Sequence, residues 1–175
     1  LTWILYLSLQ TGIVPDNFKL AWLTPVFKSG FHDDCNNYQP ISILSELSKI
    51  LERAVHDSFY QYIDSHHLIA KLQSTFRHLL STSTAFIKLY DELLQNINKG
   101  QISGAILIDL QKAFDTVNHG LRLCKLQAYG VNGTALDWFK SYLKDCKQQT
   151  SIRGHLSEPG LINIGNKLTM HKNNE

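Results

Sequence analysis

The chain has 175 residues, 43% of them hydrophobic and 18% charged, which is enough apolar mass to bury one sizeable core and too much for a disordered chain. Seventeen Lys and Arg against fifteen Asp and Glu leave a formal charge of only +2, which excludes a histone-like polycation or an acidic tail protein, so any nucleic-acid contact has to be local. The cysteines Cys35, Cys124 and Cys146 are odd in number, far apart and outside any CxxC spacing, which argues against a disulfide framework or a zinc module and fits an intracellular, reducing location.

The opening run Leu1–Leu9 is apolar, but it has no basic flank or small-residue cleavage site and falls well short of the roughly 20 residues that span a bilayer. It reads as the end of a helix cut from something longer, closed by Gly12. Leu20–Lys28 reads as a strand, and Pro25 within it argues for an edge position, because proline cannot donate to a central ladder. A polar loop, Ser29–Asn37, follows. From Ser45, a ready N-cap, the apolar positions Leu47, Ile50, Leu51, Ala54, Val55, Phe59 and Tyr62 recur with helical spacing and predict an amphipathic helix to about Ser65. His66–Leu80 is connective. A second helix begins near Thr82, with Ala85, Phe86, Leu89, Leu93, Leu94 and Ile97 on one face and Gly100 placed to end it. Ile102–Leu110 is a short apolar run that reads as a buried strand. Further helices are predicted over about His119–Tyr129, closed by Gly130, and Thr134–Leu143. Gln148–Ile152 is a candidate strand, with Leu161–Ile164 as its hairpin partner across Gly154–Pro159. Asn166–Glu175 is polar, lacks any apolar period and reads as a disordered end. Helices outnumber strands and the strands are scattered, so the expected class is α+β rather than a regular βαβ repeat.

Asp109 is the most informative residue for chemistry. An ionised carboxylate alone in a core is costly, so an acid ending an apolar strand lies at the sheet's rim, is paired, or holds a cation. Asp115, six residues on, reads by itself as a helix or turn cap. The pair Asp33-Asp34 sits in a polar loop and reads as solvated. His66-His67, and His32 with Cys35, have no partners at zinc-ligand spacing. The sequence has no Gly-rich phosphate loop, GxSxG elbow or HExxH.

The run Ala105-Ile-Leu-Ile-Asp109-Leu-Gln-Lys-Ala-Phe114-Asp115-Thr-Val-Asn-His119 closely resembles the first palm motif of reverse transcriptases from non-LTR (LINE-type) retrotransposons. Phe27-Lys28-Ser29-Gly30 and Asn37-Tyr38-Gln39-Pro40-Ile41-Ser42 are similar to the fingers segment of that family. Gln73-Ser74-Thr75-Phe76-Arg77 is similar to its Gln-x-Gly-Phe-Arg element, and Trp138–Leu143 to the helix beyond the palm motif. The blocks follow the family's order over roughly Pro15–Gly165.

The resemblance implies a partial right-hand polymerase fold, with helix-rich fingers and an incomplete palm sheet, over residues 1–165. It also implies RNA-directed DNA polymerase ancestry, with an RNA template, a DNA primer and Mg²⁺ as the intact family's partners and cofactor, and no membrane. Such polymerases join nucleotides with two metal ions about 3.5–4 Å apart, which demands several converging carboxylates. By motif match Asp109 is the catalytic carboxylate, a ligand of both metal ions, and the Leu110 carbonyl is a second contact. Phe114 matches the gate beneath the sugar and Lys28 the cation that meets the triphosphate. Gln73 and Arg77 match a template-side element. Three departures stand against full activity. Gln39 replaces the family's arginine and so removes a permanent charge. Thr75 replaces a glycine. The likeness also stops after Gly165, where 166–175 reads as an unrelated tail. Downstream the family places a hairpin with two adjacent aspartates, yet the only acids after Asp145 are Glu158 and Glu175. The expectation is a truncated polymerase fragment that is inactive alone, or alternatively a fragment with residual weak RNA or DNA binding through Lys28 and Arg77.

Overall fold

The computed structural model describes residues 2–110, 113 and 117–162; Phe114, Asp115 and the expected tail 166–175 lie outside the described residues. Among the described residues the helices are α1 (Thr2–Thr11), α2 (Glu46–Ser65), α3 (Thr82–Asn98), α4 (His119–Ala128) and α5 (Gly133–Leu143). The strands are β1 (Leu20–Phe27), β2 (Tyr38–Ile43), β3 (Lys147–Ile152), β4 (His155–Leu156) and β5 (Gly160–Leu161), giving a mixed α+β fold with a partial open sheet. The chain divides into two units, Leu1–Phe59 with Lys112–Glu175, and Tyr60–Gln111, the division falling within α2.

The first unit holds the sheet, in the order β2-β1-β3-β4, with β5 also on β3. β1 is therefore an interior strand rather than the edge strand that Pro25 suggested. It runs antiparallel to β2 and parallel to β3. Proline is accommodated because the β3 pairing covers only Leu20–Leu23 and has ended before residue 25. On the other side Pro25 lies opposite Pro40. Lys28 N donates to Asn37 O at 2.9 Å, so by alternation the Pro25–Pro40 pair occupies a non-hydrogen-bonded position whose missing N–H groups would point away from the partner strand. β2 has no counterpart among the sequence expectations: Gln39, Pro40 and Ser42 disguise its alternation.

The return from β3 is tighter than the expected Gly154–Pro159 loop. Arg153 and Gly154 take φ of 49° and 84°, the double positive φ of a two-residue hairpin turn. The returning chain pairs as β4 and again as β5, with Leu161 opposite Lys147. Between them Pro159 cannot donate, and the Ser157 hydroxyl instead accepts from Thr150 N at 3.0 Å. Ile164 of the expected partner lies outside the described residues.

Val14, Phe18, Leu51 and Trp138 form the buried cluster, joined by the partly buried Leu5, Val55, Phe139 and Tyr142. Polar side chains stitch its elements together. Ser48 N donates to Ser45 Oγ at 3.2 Å, the expected cap of α2, while Ser48 Oγ donates to Phe18 O at 3.1 Å. Ser8 Oγ donates to Ile13 O at 2.7 Å and accepts from Trp138 Nε1 at 3.2 Å, joining α1 to α5. Val14 N donates to Ser141 Oγ at 2.9 Å. These bonds link α1, α2 and α5 to the segment between α1 and β1.

Tyr142 donates its hydroxyl to Glu52 Oε1 at 2.7 Å, tying α5 to α2. Burial, and then the charge and hydrogen bond of Glu52, push this phenol above its ordinary value of about 10. The unfolded chain loses that proton near pH 10 whereas the folded chain keeps it, so the stability is intact below pH 10 and declines as pH rises above it. The melting temperature should fall above about pH 10, and Tyr142→Phe should flatten that fall; identical slopes in the two proteins would count against the assignment.

In the second unit α3 begins with a capping box. Thr84 N donates to Ser81 Oγ at 3.2 Å and Ser81 N donates to Thr84 Oγ1 at 2.8 Å. It ends at Gly100, which takes φ +69° as expected and donates to Ile97 O at 2.9 Å. The run Ile102–Leu110, expected as a buried strand, has no regular secondary structure and pairs with no strand among the described residues, with Ile106 91% and Leu107 93% exposed. A strand is stabilised by a neighbour that takes up its N–H and C=O groups, and the second unit contains no other strand among the described residues.

Candidate functional site

Lys28 stands one residue beyond β1, at the mouth of the loop to β2. The loop is organised by its own side chains. Asn37 Nδ2 donates to Phe31 O at 2.9 Å, Tyr38 OH donates to His32 O at 3.0 Å, and the His32 ring stacks on Phe27 with centroids 3.9 Å apart. Asp34 Oδ1 accepts from Asn36 N at 2.9 Å, so half of the Asp33-Asp34 pair serves as a turn cap. Gly30 takes φ +98°, a conformation that favours glycine, and a Cβ there would stand 2.5 Å from Asn37 Nδ2 and push that amide aside. Gly30 and Asn37 belong to the motif blocks read from the sequence, but their part in organising the loop was not legible there, although a glycine and an asparagine bracketing a polar loop are a recognisable turn signal.

The register brings Lys28 and Gln39 together. Val26 pairs with Gln39, and Lys28 is bonded to Asn37, so Lys28 and Gln39 are diagonal neighbours on one face of the hairpin. Both are exposed. One flexible ammonium and one neutral amide thus occupy the positions at which a cation and an arginine were compared in the sequence, leaving a single positive charge for an anionic group.

The remaining candidates belong to the second unit. Gln73 Nε2 donates to Thr75 O at 3.1 Å, and Leu80 N donates to Arg77 O at 3.4 Å, so both residues sit in a self-bonded connective segment. Thr75, which stands where the resemblance has a glycine, is not among the positive-φ residues, whereas its neighbour Phe76 takes φ 57°. Asp109 and Leu110 lie exposed on the unpaired run. Phe114 lies outside the described residues.

A Mg²⁺ pair requires about six oxygen ligands per ion in near-octahedral array. Among the described residues no three His, Cys, Asp or Glu side chains converge on a point that would hold a metal ion. Asp109 on an exposed segment without a strand partner supplies one carboxylate, so the described residues do not fit a two-metal centre. No helix among them is long and apolar enough to cross a membrane.

Lys28, between β1 and β2, and the apolar run that ends in Asp109 both fall within the stretch covered by sequence comparison. Residues 26–162 match the model of the family described as reverse transcriptase (RNA-dependent DNA polymerase), and the chain belongs to that family. It is 29% identical to the probable RNA-directed DNA polymerase from transposon BS of Drosophila melanogaster, over 93% of this chain and 18% of that protein. It is also 29% identical to the RNA-directed DNA polymerase from mobile element jockey of Drosophila funebris, over 90% of this chain and 17% of that one. Identity to the retrovirus-related Pol polyprotein from type-1 retrotransposable element R2 of Popillia japonica is 24%, over 84% of this chain and 20% of the relative. The chain is thus related to the reverse transcriptases of non-LTR retrotransposons and spans about a fifth or less of the length of these relatives.

Proposed function

We propose that residues 1–165 are the fingers and N-terminal palm portion of an RNA-directed DNA polymerase of a non-LTR retrotransposon, with 166–175 an unrelated polar tail, working inside the cell. The observation that carries this reading is the family match across residues 26–162, which spans both the Lys28 hairpin and the Asp109 run in the order a polymerase needs. In this reading Lys28 meets the triphosphate of an incoming nucleotide, Phe114 contacts its sugar, Leu110 offers a carbonyl, and Gln73 and Arg77 lie along the template. Of the two acids in that motif, Asp109 is the one that matches a metal ligand. These 175 residues therefore hold no productive Mg²⁺ pair by themselves, because phosphoryl transfer through two metals needs carboxylates that converge from more than one motif.

The expected result is no measurable extension of a DNA primer on an RNA template by the 175-residue protein with Mg²⁺. Robust incorporation that Asp109→Ala abolishes would overturn the proposal of inactivity. Weak, salt-sensitive retention of RNA or DNA by Lys28 and Arg77 is the second reading, favoured by the exposed position of Lys28.

A further inference from the structure

The turn from α4 to α5 runs Tyr129-Gly130-Val131-Asn132, and Asn132 stands at the N-cap of α5 with φ −136° and ψ 175°. It does not act as a cap. Its side chain makes no hydrogen bond to the first turn, and Nδ2 instead donates backwards to Gly130 O at 3.0 Å. Asn118, at the N-cap of α4, does the opposite and accepts from Leu121 N at 3.1 Å. Asn132 also opens the single Asn-Gly pair of the sequence. Both residues of the pair are exposed, and a Cβ on Gly133 would meet nothing within 4 Å. Gly133 is the first residue of α5, so its N–H is one of the groups that a helix leaves without an internal partner.

An asparagine amide beside an unhindered backbone nitrogen is set up for cyclisation. We infer that Asn132 is a site of spontaneous deamidation, with Gly133 N as the nucleophile. Gly133 N gives its proton to a solvent base and attacks Asn132 Cγ. The new C–N bond closes a succinimide, and Nδ2 leaves as ammonia. Water then cleaves one of the two imide C–N bonds: attack at Cγ leaves an aspartate, and attack at the main-chain carbonyl carbon leaves an isoaspartate. The positive end of the α5 dipole favours the negative charge that forms on Gly133 N. Ring closure requires rotation of ψ away from 175°, a fraying of the first turn that the exposed, side-chain-free Gly133 permits.

The two products act oppositely on α5. Aspartate places a full negative charge and two acceptor oxygens at a helix end that has no side-chain cap. Isoaspartate adds one methylene to the main chain between the buried Val131 and Thr134, whose carbonyl oxygen lies against Gly12. That insertion displaces the first turn of α5 at its close approach to Gly12.

The tryptic peptide Leu126–Lys140 holds Asn132 as its one asparagine. The test incubates the folded 175-residue protein in warm, mildly alkaline buffer until a synthetic peptide of that sequence has reacted, then digests the protein for mass spectrometry. The Leu126–Lys140 peptide should gain about one dalton, as NH is exchanged for O, and resolve into two products, one of them a substrate of isoaspartate methyltransferase. The peptide bearing Asn118 should keep its mass. Gly133→Ala, which shields the nitrogen, should suppress the gain, and Asn132→Ser should remove it. No gain in the folded protein would overturn the inference, as would a gain that survives Asn132→Ser. The isolated isoaspartyl form should unfold at lower urea than fresh protein, and an unchanged midpoint would overturn its stated effect on α5.

Discussion

Trp138→Ala should destabilise the first unit by about 3–5 kcal/mol, the usual cost of truncating a buried Trp. Trp138 is 4% exposed at the centre of the cluster with Val14, Phe18 and Leu51. Its ring stacks on Tyr142 at 5.2 Å and 10°, and meets Phe139 edge-on at 5.4 Å and 88°. The substitution deletes both ring contacts, opens a cavity in the buried cluster, and removes the Nε1 donor to Ser8 that joins α5 to α1. A domain of this size is stable by only about 5–15 kcal/mol, so the loss is a large share of the whole. Urea denaturation followed by far-ultraviolet circular dichroism reads it directly. Trp138→Phe should retain most of the packing and lose chiefly the Ser8 bond, a cost of about 1 kcal/mol. Equal midpoints for Trp138→Ala and the wild-type protein would show that the core does not depend on this ring.

The helices were legible because their signals are local. Ser45 caps α2, and Gly12, Gly100 and Gly130 all take positive φ at or just beyond the helix ends that the periodicity marked. The sheet was less legible because a strand is specified by partners elsewhere in the chain. Pro25 reads as an edge residue until Lys147–Thr150 is found pairing alongside Leu20–Leu23 and stopping short of it. Ile102–Leu110 has the composition of a buried strand but lacks a neighbour to pair with. The site divides in the same way. Lys28 and Gln39 were recognisable from motif resemblance, yet their common face needed the β1–β2 register.

Gly12→Ala should be the most damaging single-methyl addition, at about 1–3 kcal/mol. Gly12 has φ +69°, a conformation that costs an L-residue about 1–2 kcal/mol before any contact is considered. Contact adds to it: a Cβ at this position would lie 2.9 Å from Thr134 O, 3.2 Å from Asp137 Cβ and 3.3 Å from Trp138 N. Two of those three atoms are backbone of the first turns of α5 and cannot swing aside as a side chain would. Relief requires α5 to shift away from α1, which stretches the Trp138–Ser8 bond and loosens the packing around Trp138. Gly133→Ala separates the two contributions. Gly133 has a similar φ of +58°, but a Cβ there would meet nothing within 4 Å, so it bears the conformational cost alone. The stability difference between the two variants, measured by urea denaturation, is therefore the cost of the close approach of α1 to α5. A positive difference of about 1 kcal/mol or more is expected, and indistinguishable midpoints would mean that the helix pair yields to the methyl group without loss.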